Sequence, residues 1–152
     1  MIQRIQSLYL LISSILGVVC LSCPLGMLFS DEDIHAGDLY NLWIKSVDTG
    51  EIEFFPWALF GLLLVVTALT FIAIFLFTRR ALQMRVVTFS MILLVGYYAV
   101  MGYVVYVLHA RGMSFTPSLT ASFPFIALVL DYLAYRGILR DELLIKSLDR
   151  LR

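Results

Sequence analysis

The chain has 152 residues, of which 61% are hydrophobic and 14% are charged, and its mean hydropathy is +0.93. A soluble domain is about half apolar and about a quarter charged, so this composition excludes an ordinary soluble protein. The formal net charge is zero. The apolar residues fall into long runs almost without charge, and this pattern is typical of an integral membrane protein.

Four apolar runs each approach the roughly 20 residues that a helix needs to cross a bilayer. They extend over residues 5–29, 56–78, 86–108 and 117–135. Because backbone groups in lipid must find their partners within the segment, each run predicts a helix. The fourth run is the weakest, since Pro124 and Asp131 interrupt it. We predict an all-α membrane protein, a four-transmembrane-helix bundle that forms a single domain of residues 1–152.

The only two cysteines, Cys20 and Cys23, lie at the end of the first run in "GVVCLSCPLG". The run exceeds the about 7–15 apolar residues of a signal peptide, so we predict a retained span. An outward C-x-x-C is also found in thiol oxidases that pass electrons to quinone, but that class needs a second cysteine pair. Because buried cysteines behave as small hydrophobes, we predict a structural pair, and a disulfide stays an open alternative.

The loop of residues 30–55 contains a turn signal, Asp48-Thr49-Gly50, between two β-prone arms at 39–47 and 51–55. This pattern predicts a short extracytoplasmic β-hairpin-like loop in which Gly50 takes a positive φ. A lone hairpin is marginal in water, so we expect it to lie on the bundle. Its aromatic residues fit either a cap at the membrane interface or a docking surface for a periplasmic partner.

Asp131 is the only carboxylate within a predicted span, and an ionisable residue there suggests a function. It precedes Arg136 by about 7–8 Å of helix, which predicts a position near the cytoplasmic interface. We predict a structural ion pair with Arg4, Arg80 or Arg85 on a neighbouring helix. A proton or ion relay is the alternative.

The third run contains "GYYAVMGYVVY", in which four tyrosines alternate with small residues. They are Tyr97, Tyr98, Tyr103 and Tyr106. Small residues allow close helix packing and hydroxyls bond across the contact, so packing is the main interpretation, and a pocket for a quinone or lipid is the alternative. His35 and His109 are far apart in the sequence, and we predict neither a metal site nor a cofactor.

The segment 136–152 predicts a helix that continues past the fourth span, with Gly137 as a candidate bend. One face is apolar and the other is charged, so this helix either lies in the lipid interface or docks on a protein. Acidic residues are interspersed with the basic ones, which favours the protein partner. The candidate contact residues are Arg140, Leu144, Leu148, Arg150, Leu151 and Arg152.

Basic residues are distributed unevenly along the chain. Lys45 and Arg111 are the only two of the 11 lysines and arginines that fall outside the two chain ends and the loop 79–85. The positive-inside rule therefore predicts that both termini and this loop are cytoplasmic.

Several segments carry a resemblance: the opening "MIQRIQSLYLL", Pro24-Leu25, the loop "RRALQMR" and the closing "RDELLIKSLDRLR". With these segments the chain resembles the domain-of-unknown-function family 4293 of Bacteroidota inner-membrane proteins. The resemblance extends over essentially the whole chain. The resemblance implies a four-helix membrane protein of about this size. It implies no activity, ligand or functional residue, and the cysteines have no place in its pattern.

No catalytic constellation stands out in the sequence. We therefore expect a non-enzymatic accessory or structural subunit of a larger membrane assembly, which it contacts through its cytoplasmic face and C-terminal helix. The alternative is a small membrane enzyme or carrier for a lipid or quinone that uses Asp131 and the tyrosines of the third span. A transporter is disfavoured because the chain has no internal repeat. We predict the bilayer and a membrane protein as partners, and no nucleic acid.

Overall fold

The computed structural model describes residues 2–30, 35–47 and 50–149, and all side chains within these ranges except those of 2–4, 146, 148 and 149. Its helices are α1 (Ile2–Ser22), α2 (Trp57–Phe75), α3 (Arg80–Ala110) and α4 (Phe123–Asp149). Short 3-10 helices, Leu76–Thr78 and Leu119–Ser122, follow α2 and precede α4. Each of the four long elements is apolar and long enough to cross a membrane, which confirms the predicted number of candidate spans.

Three boundaries differ from the sequence prediction. The first helix ends at Ser22 instead of near residue 29, because Pro24 disfavours helical geometry in the residue before it. The third helix begins at Arg80, so most of the predicted loop 79–85 is helical. The fourth helix begins at Phe123 instead of residue 117. As predicted, it continues past residue 135, and it runs through Gly137, which packs against Gln6 of α1.

The four helices form a ring in which α1 and α3 each pack against both α2 and α4. They alternate in direction, so Ile2, the α2–α3 turn and Asp149 share one end of the bundle, which we call the terminal end. The opposite end carries the β-strands and is called the sheet end. A Cβ at Gly17 would overlap the side chain of Thr67, so this glycine allows α1 and α2 to approach closely.

The sheet end carries a five-stranded antiparallel sheet in the order β4-β3-β2-β1-β5. The strands are β1 (Gly26–Ser30), β2 (His35–Leu39), β3 (Ile44–Ser46), β4 (Ile52–Glu53) and β5 (Met113–Pro117). The first four strands lie in the α1–α2 connection and β5 lies in the α3–α4 connection, so the sheet joins two separate segments of the chain. The all-α description is therefore wrong.

The predicted hairpin is present only in part. β3 pairs with β4 across the predicted turn, and Gly50 has a φ of 68° as expected. The first predicted arm is not one strand, because the chain turns between Tyr40 and Trp43, where the amide of Tyr40 donates to the carbonyl of Trp43 at 2.8 Å. The strand β2 ends at Leu39, where the predicted arm begins, and it pairs with both β1 and β3.

One face of the sheet is continuous with the helix core. Leu28, Leu39 and Ile44 of the strands are buried in the same apolar cluster as Leu94 and Leu108 of α3. A hairpin alone would be marginally stable, and this shared burial explains how the larger sheet is held on the helices.

Candidate functional site

The sheet end contains a buried polar network centred on Asn41. The hydroxyl of Tyr97 donates to Asn41 Oδ1 at 2.8 Å, and Asn41 Nδ2 donates to the backbone carbonyl of Cys20 at 2.7 Å. All three residues are fully buried. Because Asn41 follows β2 while Cys20 and Tyr97 lie on α1 and α3, the network ties the sheet to two helices.

The four tyrosines predicted as one group are separated. Tyr97 is in the network, and the half-buried Tyr98 donates to the backbone carbonyl of Ala121 at 2.9 Å. Tyr103 and Tyr106 are 64% and 71% exposed on the outer face of α3. The structure therefore does not bring these hydroxyls into one pocket.

The two cysteines are free thiols. Cys20 packs in the main core, with Sγ 3.6 Å from the carbonyl oxygen of Thr120. Cys23 lies just beyond the end of α1 and is half-buried. Within the described part of the chain, no group of three or more histidines, cysteines and carboxylates is placed to hold a metal ion.

Asp131 lies in a second polar layer, between the helices. It is fully buried, and Ser90 Oγ lies 2.9 Å from its Oδ2 and 2.8 Å from the carbonyl oxygen of Val87. The single hydroxyl proton of Ser90 serves one of these acceptors at a time. Oδ1 of Asp131 has no hydrogen-bond partner among the described residues.

Asp131 lies deeper in the bundle than the sequence predicted. Ser13 donates to the carbonyl of Ala127, one helical turn from Asp131, at 3.4 Å. Ser13 itself lies midway between Ile5 and Ser22, the ends of the first candidate span. Asp131 therefore lies near the middle of the apolar layer instead of near its edge.

The predicted arginine partner of Asp131 is not among the contacts of the described side chains. Neither Arg80 nor Arg85 forms an ion pair with it, and the side chain of Arg4 lies outside the described set. The physical reason is distance along α3, since Arg85 is more than one turn from Ser90 and its side chain is exposed. Asp131 also lines none of the best-defined cavities of the described residues.

The terminal end is held by two amide side chains. Gln6 Nε2 donates to Asp141 Oδ2 at 2.9 Å and links α1 to α4. Gln83 Nε2 donates to the carbonyl of Ala73 at 2.9 Å and links α3 to α2. Both glutamine side chains therefore bond within the chain at this end.

The predicted partner-contact residues lie on and beyond the end of α4. Arg140 is exposed, and Leu144 is 57% exposed. The side chain of Leu148 and residues 150–152, which include Arg150, Leu151 and Arg152, lie outside the described set. Leu143 and Ile145 add to the exposed apolar surface of this segment.

Sequence reasoning missed Asn41. The available signal was a single amide residue within the aromatic and aliphatic segment "LYNLW", which is costly to bury unless its amide is bonded.

A family model described as "Domain of unknown function (DUF4293)" matches residues 2–151. No curated protein matches the chain.

Proposed function

The chain belongs to the DUF4293 family, as its sequence motifs indicated, and from this premise we propose that it is a non-enzymatic accessory subunit of a larger assembly in a bacterial inner membrane. It contacts that assembly through the terminal end, chiefly through the last turns of α4. The observation that carries the proposal is an apolar extension of α4 beyond the other helices.

The length of the extension follows from residues that share one level of the bundle. Leu10, Ala73, Val87 and Ala134 are packed in one buried cluster. Beyond this level α4 continues for about 22 Å to Asp149, whereas α1 continues for about 12 Å to Ile2 and α3 for about 10 Å to Arg80. The last roughly 10 Å of α4, residues 143–149, therefore extends past its neighbours. We call this segment the α4 extension.

The exposed surface of the α4 extension is apolar, whereas a helix end that faces only water is expected to be polar. Leu143, Leu144 and Ile145 are 58%, 57% and 45% exposed. Exposed apolar side chains are stabilised when a complementary apolar surface covers them. A protein groove provides that surface in the way that grooves accept amphipathic helices.

The proposed orientation places the terminal end in the cytoplasm. Arg79, Arg80, Arg85, Arg136 and Arg140 all lie at this end among the described residues, which agrees with the positive-inside rule. An accessible cysteine introduced at Ser147, in a variant without Cys20 and Cys23, tests the orientation. In intact cells the proposal expects no labelling by a membrane-impermeant maleimide, and labelling after the inner membrane is opened.

Copurification tests the proposed role. The natively expressed, tagged chain is extracted in a gentle detergent, and we expect a membrane-protein partner in fixed ratio by mass spectrometry. Substituting Leu144, Leu148 and Leu151 together with serine should release the partner and leave the bundle folded. The matched control is Leu119→Ser, at an 80% exposed leucine of the sheet end, which should retain the partner. Retention by the triple variant would contradict the proposed contact.

The alternative, a small enzyme or carrier acting on a lipid or quinone through Asp131 and the tyrosines of α3, has less support. It needs an ionisable group that opens onto a cavity, and it needs the tyrosines in one place. Asp131 is fully buried beside Ser90, and Tyr103 and Tyr106 point away from the core.

A further inference from the structure

A long groove follows the outer seam between α3 and α4. Near the terminal end it is a cavity of ≈ 510 Å³ lined by Arg85, Tyr135 and Thr88, among others. An adjoining cavity of ≈ 450 Å³ continues toward the sheet end, and the two share Thr88 and Ile92. We call the two together the α3–α4 groove.

The groove is polar at one end only. Arg85 and Tyr135 line it close to Ala81, in the first turn of α3. The amides of such a first turn carry a partial positive charge and attract anions. Arg85 is exposed and forms no ion pair with any side chain that the structure describes.

The remainder of the groove is apolar. Beyond Ile92 it is lined by Val95, Leu128, Val129 and Phe125, with no charged side chain. From Arg85 to Val95 the groove follows about 15 Å of helix, within a membrane-crossing part of α3. A shape that is cationic at the membrane edge and apolar along its depth matches a phospholipid, with its phosphate at one end and an acyl chain along the other.

The charge at the terminal end selects an anionic occupant. Arg79, Arg80, Arg136 and Arg140 surround the same end, and none forms an ion pair among the described side chains. The buried carboxylate of Asp141 is already engaged by Gln6. We propose that the α3–α4 groove binds one anionic phospholipid, with the headgroup phosphate at Arg85 and Tyr135 and an acyl chain along Ile92 and Val129. This proposal does not depend on the accessory-subunit role.

Native mass spectrometry of the delipidated full chain tests the site directly. The protein is mixed with equal concentrations of dioleoyl-phosphatidylglycerol and dioleoyl-phosphatidylcholine, and the two adducts are compared. We expect a preferred single adduct with phosphatidylglycerol. Arg85→Gln should lower that preference about five-fold, because one arginine beside an anionic headgroup contributes about that factor. Tyr135→Phe should lower it by a smaller factor.

The matched control is Arg136→Gln, which removes the same charge from an exposed arginine of the same end that does not line the groove. It should leave the preference within about two-fold of the unchanged chain, because a charge outside the site acts only through screened, longer-range attraction. Equal losses in the Arg85 and Arg136 variants would overturn the proposal, since they would indicate a diffuse charge effect. Equal binding of both lipids to the unchanged chain, or a dimer that excludes lipid, would also overturn it. Thermal unfolding of each variant confirms that the fold is retained.

Discussion

The two ends of the molecule use their polar groups differently. At the sheet end Asn41, Tyr97 and the carbonyl of Cys20 bond to one another, and Arg111 is paired with Glu53 at 3.0 Å. At the terminal end the described arginines enter no ion pair with described side chains, and the α4 extension exposes apolar residues.

This difference separates structural from interacting surfaces. Groups that satisfy one another within the chain contribute to folding, and their substitution should lower stability. Exposed cations and an apolar helix end contribute little to the isolated bundle, and their substitution should change binding instead. Substitutions at the two ends therefore test the comparison.

The largest effect on stability is expected for Asn41→Ala. This substitution leaves the Tyr97 hydroxyl and the Cys20 carbonyl buried without their partner, at about 1–3 kcal/mol for each orphaned group. We expect a loss of about 3 kcal/mol in the free energy of unfolding, measured in detergent micelles by the fluorescence of Trp43 and Trp57. Tyr97→Phe should cost less, because it removes only one donor. A loss under about 1 kcal/mol for Asn41→Ala would show that the network is not what holds the sheet.

A smaller loss is expected where α1 and α2 approach. Gly17→Ala places a methyl group against the side chain of Thr67, and overpacking of this kind costs about 1–3 kcal/mol. Gly61→Ala is the matched control, since that helical glycine of α2 has open space around it and alanine is the better helix former. Thermal unfolding should separate the two variants, and equal stability of both would contradict the tight α1–α2 contact.

The substitution Asp131→Asn distinguishes the observed hydrogen bond with Ser90 from the ion pair that the sequence predicted. Asparagine keeps an oxygen acceptor for Ser90, so we expect a change of less than about 1 kcal/mol. Breaking a buried ion pair would instead cost about 3–5 kcal/mol. A loss in that upper range would indicate that Asp131 has a cationic partner, with Arg4 as the first candidate to substitute.

A small effect is expected for Arg111→Gln on the surface of the sheet end. The Arg111–Glu53 pair is about half exposed, and such pairs contribute about 0.2–1 kcal/mol. The stacking of Arg111 over the Phe55 ring, at 5.0 Å, adds about 0.5–1 kcal/mol. We expect a total loss near 1 kcal/mol in thermal unfolding at low salt, and a smaller one at high salt. No dependence on salt would assign the loss to the stacking alone.

The sequence was sufficient to predict the four helices because their apolar runs are long and nearly free of charge. It was insufficient for the sheet. Gly26–Ser30 is apolar and directly follows the first helix, so hydropathy alone joins it to the span, and Pro24 was the only signal of a break. β5 pairs with β1 across more than 80 residues of chain, and no local pattern indicates a pairing of that range.

The partner of Asp131 was also beyond the sequence. Its burial in a span was predicted, but many residues of three helices could face it, and the favoured arginines are stronger partners than Ser90. Which residue faces Asp131 depends on how the helices are aligned along the axis of the bundle. That alignment differs from the predicted one, because α1 ends at Ser22 and α3 begins at Arg80. By contrast, amphipathic spacing alone was enough to assign Leu144 to the apolar face of the last helix. The structure leaves this side chain 57% exposed.

Site-specific photocrosslinking in the native host membrane tests the central claim most directly. A photoreactive residue replaces Leu144 in the α4 extension, or Leu119 at the sheet end as the control, both of which are exposed in the isolated chain. The account predicts one discrete crosslinked protein product from position 144 and none of the same mass from position 119. Crosslinks to lipid alone at position 144, or the same product from both positions, would contradict a partner bound at the terminal end.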